Sequence, residues 1–266
     1  MNPRWVIQKN IFKEDLDVII QALHKNKIAH YLIDVIPFSE NLSHIPKHNG
    51  PNIAYGSTTL MRLVSPSWVW YNDETFKPSV WGKQIGNDYL NKEATIMPLK
   101  EVLNNWSGRL CFIRPNSDFK LFNGDVFMKG DFEDWYKRVE ALIKSGTYVN
   151  LKLDTNVSVA PYQKLLKEWR FFVVNKNVVT GSQYRADGHL LKSKSVDSGA
   201  LELATKIAKM DWQLAPGYAV DITLMGDSKY KVIEFNNFNS SGFYLCDIEA
   251  ILLAATKFIA LTRSFK

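Results

Sequence analysis

Only two cysteines, Cys111 and Cys246, occur in 266 residues, far apart and without a C-x-x-C pair. Neither a disulfide framework nor a zinc site is indicated, and both read as buried thiols. No stretch approaches the roughly 18 uninterrupted apolar residues of a membrane span, and the opening MNPRWVIQKN lacks the apolar core of a signal peptide. The expected location is therefore cytoplasmic, with no membrane partner. Phosphate-binding glycine loops are missing as well. Neither G-x-x-x-x-G-K-S/T nor G-x-G-x-x-G is present, which removes the P-loop fold and the simplest dinucleotide and protein-kinase readings. No Ser/His/Asp or Cys/His set presents a nucleophile with its base. There is no basic block: 33 basic residues against 27 acidic give a net charge of +6. That balance suits a nucleotide as much as a nucleic acid, and a nucleic-acid partner would have to show a steep salt dependence that this charge distribution does not predict. Internal repeats, low-complexity segments and linkers are absent too.

What is present is an ordinary globular composition, 46% hydrophobic and 23% charged, and a change of pattern along the chain. Arg4–Gln8, Lys13–Lys25 and His30–Ile36 read as strand, helix and strand, a βαβ unit that points to a small parallel sheet. HIPKHNG at 44–50 is a loop whose two histidines invite a metal reading but have no third ligand beside them, so they are read as solvated. Asn52–Ser57 reads as a strand and Thr58–Val64 as a helix. The aromatic run Trp68, Trp70, Tyr71, Phe76 and Trp81 lacks the basic interleaving of a base-stacking platform and is assigned to packing between subdomains. Leu99–Trp106 reads as a short helix and Arg109–Arg114 as a strand ended by Pro115, followed by a loop and short hairpin to Gly130. Asp131 is placed as the cap of a helix over Phe132–Lys144, and Tyr148–Leu153 as a strand.

Hairpins dominate thereafter. Lys167–Val174 and Val178–Arg185 pair across Asn175, Lys176 and Asn177. A helix covers Gly199–Leu214, and Ala219–Leu224 pairs with Lys231–Asn236 across a Gly226, Asp227, Ser228 turn. A last apolar helix covers Asp247–Thr262. The polar stretch from Ala186 to Lys194 is read as a loop.

The stretch KVIEFNNFNSSGFY, 231–244, carries the most chemistry. Glu234 and Asn236 share a strand face, about 7 Å apart at roughly 3.3 Å per residue, and Asp221 lies on the neighbouring strand. Two carboxylates and a carboxamide form an all-oxygen set suited to a hard ion such as Mg²⁺. The cations Arg114, Lys120, Lys152, Arg170 and Arg185 lie on elements that a mixed sheet can bring to one cleft, where they would call for a polyanion bridged by Mg²⁺, such as a nucleoside triphosphate. The competing reading is surface ion pairing, for example Glu168 with Arg170 at i, i+2, or Arg185 with Asp187.

IRPNSDFK, then EWRFFVV and VVTGSQYR, then AVDI and VIEFNNFNSSGFY, in this order, resemble the ATP-grasp superfamily of ATP-dependent carboxylate–amine ligases, most closely the phage and bacterial clade named for two arginines and a lysine. The resemblance implies an α+β ATP-grasp fold, two lobes clamping a nucleotide, over 106–266 with a hinge near 157–162. An α/β pre-ATP-grasp domain over 1–105 would precede it. By the same resemblance Arg114 and Lys120 approach the phosphates with Lys152, the segment with Val157, Val159 and Ala160 lies against adenine, and Glu168 takes the ribose hydroxyls. Arg170 and Arg185 hold the phosphates or the acylphosphate transition state, and Asp221, Glu234 and Asn236 ligate Mg²⁺. The implied reaction forms an amide or peptide bond from a small-molecule or peptide carboxylate and an amine. The alternatives are an ATP-binding module without turnover and a nucleic-acid-modifying or nucleic-acid-binding protein. One departure is plain: many of these ligases carry an arginine just before the first metal carboxylate, where this chain reads Tyr218, Ala219, Val220.

Overall fold

The computed structural model describes residues 2–36, 42–119, 121–147 and 151–262. The chain opens with β1 (Arg4–Gln8), α1 (Lys13–Lys25), β2 (Ala29–Ile33), β3 (Asn52–Tyr55) and α2 (Thr58–Leu63). Short helices α3 (Asp73–Phe76) and α4 (Pro78–Ile85) lead to β4 (Thr95–Pro98), β5 (Cys111–Pro115), β6 (Asp125–Phe127), α5 (Lys129–Lys144) and β7 (Asn156–Pro161). Then come β8 (Leu165–Val174), β9 (Asn177–Ala186), β10 (His189–Ser193), α6 (Ser198–Lys209), β11 (Gly217–Met225), β12 (Tyr230–Asn237) and α7 (Ile248–Thr262). These form two compact units, one built from the described residues up to Asn72 and from Leu165 onward, the other from Asp73–Lys164.

The first unit holds two sheets. Strands β2, β1 and β3 make the parallel sheet that the βαβ pattern predicts, with β1 central and buried at all five positions, as expected where both faces of a parallel sheet are covered. The second sheet is antiparallel, in the order β10-β9-β8-β11-β12. Its β8–β9 turn is Asn175–Lys176 alone, with φ of 48° and 59°, the left-handed pair that matches the twist of the flanking strands; Asn177, expected in that turn, belongs to β9. Helix α6 contacts β8, β9, β11 and β12. The core joining the parallel sheet, α7 and β8 includes Trp5, Tyr55, Phe172, Phe238, Phe243 and Cys246, with Tyr55 stacked on Phe243 at 4.7 Å and 8°. Burial pushes the Cys246 thiol up to about 11, offset in part by its hydrogen bond with Ser182. In the second unit the antiparallel sheet β4-β7-β5-β6 covers a core that includes Ile113, Phe132, Val139, Val157, Val159 and Cys111.

Several expectations shift. Residues Ala186–Lys194 are not a loop: Asp187 and Gly188, with φ of 46° and 78°, form a second tight turn, and β10 runs back along β9. Helix α5 starts at Lys129 with Met128 as its cap, so Asp131 sits in the first turn, where its charge complements the helix dipole. Helix α6 stops at Lys209 instead of Leu214, where the Gln213 amide donates to the Met210 carbonyl at 2.8 Å and lies 3.4 Å from those of Ile207 and Ala208, a side-chain partner for the open end. Of the strand expected over 148–153, residues 148–150 lie outside the described residues. Leu151–Leu153 lead into a turn in which the Lys152 N–H donates to Thr155 Oγ1 at 3.0 Å, and β7 begins at Asn156. The helix expected at Leu99–Trp106 is a single 3₁₀ turn, Leu99–Glu101. The aromatic run divides: Trp70 packs on Phe238 and Phe258 in the first unit, and Trp81 on Tyr89 in the second.

Asn239, fully buried, fixes the segment after β12. Its Nδ2 donates to the Ala54 carbonyl of β3 at 2.6 Å, its Oδ1 accepts from the Trp70 N–H at 2.8 Å, and its carbonyl accepts from the Gly56 N–H at 2.9 Å. Asn239→Ala deletes both side-chain bonds and leaves their partners unsatisfied. It should lower the unfolding free energy by about 2–4 kcal/mol, measured by urea denaturation; a loss under about 0.5 kcal/mol, the usual range of a neutral surface change, would contradict this anchoring role.

Candidate functional site

The register of the antiparallel sheet lines up the predicted residues of the first unit. Asp221 on β11 stands opposite Arg170 on β8 and opposite Glu234 on β12, and Glu168 stands opposite Arg185 on β9. Opposed residues share a face. Two bulges make this possible. In β12 the pairing skips Ile233, so Val232 lies opposite apolar Ile222 while Glu234 lies opposite Asp221. In β9 it skips Tyr184, so Arg185 meets Glu168 while Gln183 meets Trp169. A bulge is a common way to re-aim side chains beside a site.

Arg170 and Asp221 form the centre. Nε donates to Oδ1 at 2.8 Å and Nη2 to Oδ2 at 2.7 Å, a bidentate pair in which the carboxylate is 1% exposed and the guanidinium 8%. The remaining Nη1 donates to the Gly242 carbonyl at 3.2 Å. The guanidinium also lies 5.0 Å from the ring centroid of Tyr244 and 5.8 Å from that of Tyr184, and these two rings stack at 4.7 Å and 8°. Desolvation would lower the guanidinium pKa, but the charge and hydrogen bonds of Asp221 outweigh it and hold Arg170 well above its ordinary value. Asn236 donates from Nδ2 to Asp221 Oδ2 at 3.3 Å and to Glu234 Oε1 at 3.2 Å, so the three expected metal ligands converge. Their donors suit Mg²⁺: two carboxylates, and a carboxamide whose Oδ1 takes the place of Nδ2 on rotation about χ2.

Glu168 is buried and accepts from the Tyr184 hydroxyl at 2.7 Å; its other oxygen is 3.7 Å from Arg185 Nη1. Desolvation raises its pKa, against the lowering effect of Tyr184 and Arg185. Arg185 is 47% exposed and takes Glu168 as its partner, where the competing surface-pair reading had Asp187. The Tyr184 hydroxyl, buried beside Asp221 and Glu168, is held well above its ordinary value by desolvation first and then by those charges. Tyr184 and Tyr244 carry no part in the sequence reading. Tyr184 directly precedes Arg185 and Tyr244 closes the motif segment, but their approach to Arg170 depends on the bulge and on Tyr244 at φ 53°, neither of which has a sequence signature.

The remaining candidates lie in the second unit. Arg114 on β5 stands opposite Ser158 and is buried; Ala160 stands opposite Phe112, on the same face as Arg114. Val157 and Val159 turn to the other face and fill the core under α5. Lys152 is exposed in the turn before β7, and Lys120 lies outside the described residues. Among the described residues no group of three His, Cys, Asp or Glu side chains is placed to hold a metal ion, so the Asp221–Glu234–Asn236 set depends on its carboxamide.

The model of an ATP-grasp domain family, the second family of the clade named for two arginines and a lysine, matches residues 89–254. No curated protein matches the sequence. Among solved structures, D-cycloserine synthetase DcsG is similar with a TM-score of 0.65 at 10% identity, over 97% of this chain and 99% of that one. D-alanine–D-alanine ligase from Bacillus anthracis has a TM-score of 0.58 at 13% identity, over 100% and 98%. The ATP-grasp ligase PsnB, solved with a phosphomimetic variant of its minimal precursor, Mg and ADP, has a TM-score of 0.58 at 13% identity, over 98% and 99%. At these identities the likeness shows the fold, α+β with antiparallel sheets, while the family match spans more than half of the chain. The chain belongs to the ATP-grasp superfamily, in the second family of the two-arginine, one-lysine clade.

Proposed function

We propose that the protein is an ATP-dependent ligase that joins a carboxylate to an amine. The observation that carries this reading is the convergence of Asp221, Glu234 and Asn236 beside Arg170 and Arg185 on one sheet face, within a chain of this family. By their names, the fold neighbours above are a D-cycloserine synthetase, a D-alanine–D-alanine ligase and a ligase bound to a precursor, and both small-molecule and peptide carboxylates and amines belong to the proposal. So does the division into a pre-ATP-grasp part over 1–105 and an ATP-grasp part over 106–266.

In this proposal Glu168 receives the ribose hydroxyls, the backbone around Val157, Val159 and Ala160 faces adenine, and Arg114, Lys120 and Lys152 meet the phosphates. Asp221, Glu234 and Asn236 hold Mg²⁺, which when bound would neutralise charge on the phosphate oxygens. The substrate carboxylate attacks the γ-phosphorus, ADP leaves, and the amine displaces phosphate from the acylphosphate. No protein nucleophile is required. The chain's part is to position the reactants and balance charge, and Arg185, exposed at the edge of the cluster, is the guanidinium available to the transferring phosphoryl group.

Calorimetry of ATP with and without Mg²⁺ tests the metal assignment. Glu234→Ala should lose the Mg²⁺-dependent part of the affinity, and an unchanged affinity in both conditions removes Glu234 from the site. Lys120→Ala should weaken ATP binding by about 1.5–3 kcal/mol even without metal.

With a substrate pair in hand, Arg185→Ala should lower kcat by about 10²–10³-fold with little change in ATP affinity, because an interaction made mainly in the transition state is lost. Arg185→Lys should restore only part, since the planar fork is gone. Normal turnover in Arg185→Ala would transfer the phosphoryl role to Arg170. Tight ATP binding with no turnover across metabolite and peptide panels would instead identify a binding module.

Glu168 gives a pH-dependent test. Its folded-state pKa is raised by desolvation, so the native state carries a cost for the ionised form, absent below the ordinary carboxylate range and fully present once the pH passes the raised value. The Tm of Glu168→Gln relative to wild type should therefore rise as the pH climbs from the ordinary carboxylate range through the raised value. A difference independent of pH would mean that Glu168 ionises without penalty.

A further inference from the structure

The bidentate contact between Arg170 and Asp221 places a cation where the proposed site needs a metal ion. Asp221 Oδ1 accepts from Nε and Oδ2 from Nη2, and Oδ2 also accepts from Asn236. A carboxylate offers about four acceptor positions, and these donors leave little room for a further ligand. Charge points the same way. A divalent ion approaching Asp221 meets a guanidinium already held there. Arg170 cannot simply move aside into water. It is 8% exposed, tied by Nη1 to Gly242 and walled by the rings of Tyr184 and Tyr244. A buried guanidinium stripped of its carboxylate is costly unless another anion replaces it, and phosphate oxygens accept the same planar fork.

Building on the ligase reading, we propose that Arg170 is a gate on the metal position. In the nucleotide-free protein it occupies Asp221, so that a bare divalent cation binds weakly. A polyphosphate draws the guanidinium off Asp221 and frees the carboxylate for the ion, and each buried charge exchanges one partner for another without passing through an unpaired state. The site therefore takes up its cation together with the nucleotide and not before it. Arg170 is in this sense a positioning residue for the metal ligand as well as a phosphate contact, and Tyr184, Tyr244 and Gly242 hold it near both positions.

The test is a titration of Mn²⁺ alone, without nucleotide, followed through the EPR signal of the free ion. Wild type should bind weakly. Arg170→Gln keeps a donor to Asp221 but removes the positive charge, and should bind Mn²⁺ about ten- to a hundredfold more tightly, the range over which groups contacting metal ligands tune affinity. Arg170→Lys keeps the charge but not the fork, and should fall between; it serves the same comparison if Arg170→Gln does not fold. Adding Asp221→Asn to Arg170→Gln should abolish the gain. Mn²⁺ binding by Arg170→Gln no tighter than wild type, or a gain that survives Asp221→Asn, would overturn the gate. Failure of the ligase reading shows elsewhere, as ATP binding with no turnover across metabolite and peptide panels, whatever the Mn²⁺ titrations give.

Discussion

The Asp221 side chain is only 1% exposed, and a forked guanidinium that meets both of its oxygens is the main partner of its charge. Removing either partner of such a buried pair typically costs about 3–5 kcal/mol, because the other is left charged and unpaired. The surroundings follow from that constraint. Arg170 comes from β8 and Asp221 from the adjacent β11, so the pair is built into the register of the central strands. Its third donor reaches the Gly242 carbonyl, fixing the segment after β12, and its flat faces meet two tyrosine rings. Asn239, a few residues before Gly242, ties the same segment to β3 of the parallel sheet. Polar site and apolar core thus share one anchor: Phe238 and Phe243 pack into the core while the residues between and beside them hold the polar groups in place.

Much of this architecture is legible in the sequence because its local signals agree. β1 and α1 are read to the residue, since the alternation from apolar run to helical spacing is sharp and acidic residues open the helix. The three metal-ligand candidates are legible because Glu234 and Asn236 share parity and Asp221 sits on the strand across the hairpin. What parity misses is the bulge. By alternation Val232 belongs with Glu234, and Tyr184 and Arg185 belong on opposite faces; one skipped residue in each strand rearranges both sets. A bulge is settled by pairing between strands, not by the local run of residues, so the ring contacts of Arg170 could not be read.

Other departures have a similar origin. β10, HLLKS, is short, exposed and set in a polar stretch that resembles a loop, yet it is a strand because Asp187–Gly188 supply a two-residue turn of the right hand and β9 offers an open edge. α6 ends where a glutamine side chain offers a partner to its open end. In each case a tertiary or capping interaction overrides composition.

The two cysteines have a practical consequence. Both are buried, Cys111 beneath α5 and Cys246 against Ser182 in the other unit, and desolvation raises both thiol pKa values. Since only the thiolate attacks electrophiles, an alkylating reagent at neutral pH meets almost no reactive sulfur while the chain stays folded. Each unit therefore carries its own unfolding reporter: the rate at which Cys111 or Cys246 is labelled measures how often that unit opens, one residue at a time and without any engineered probe.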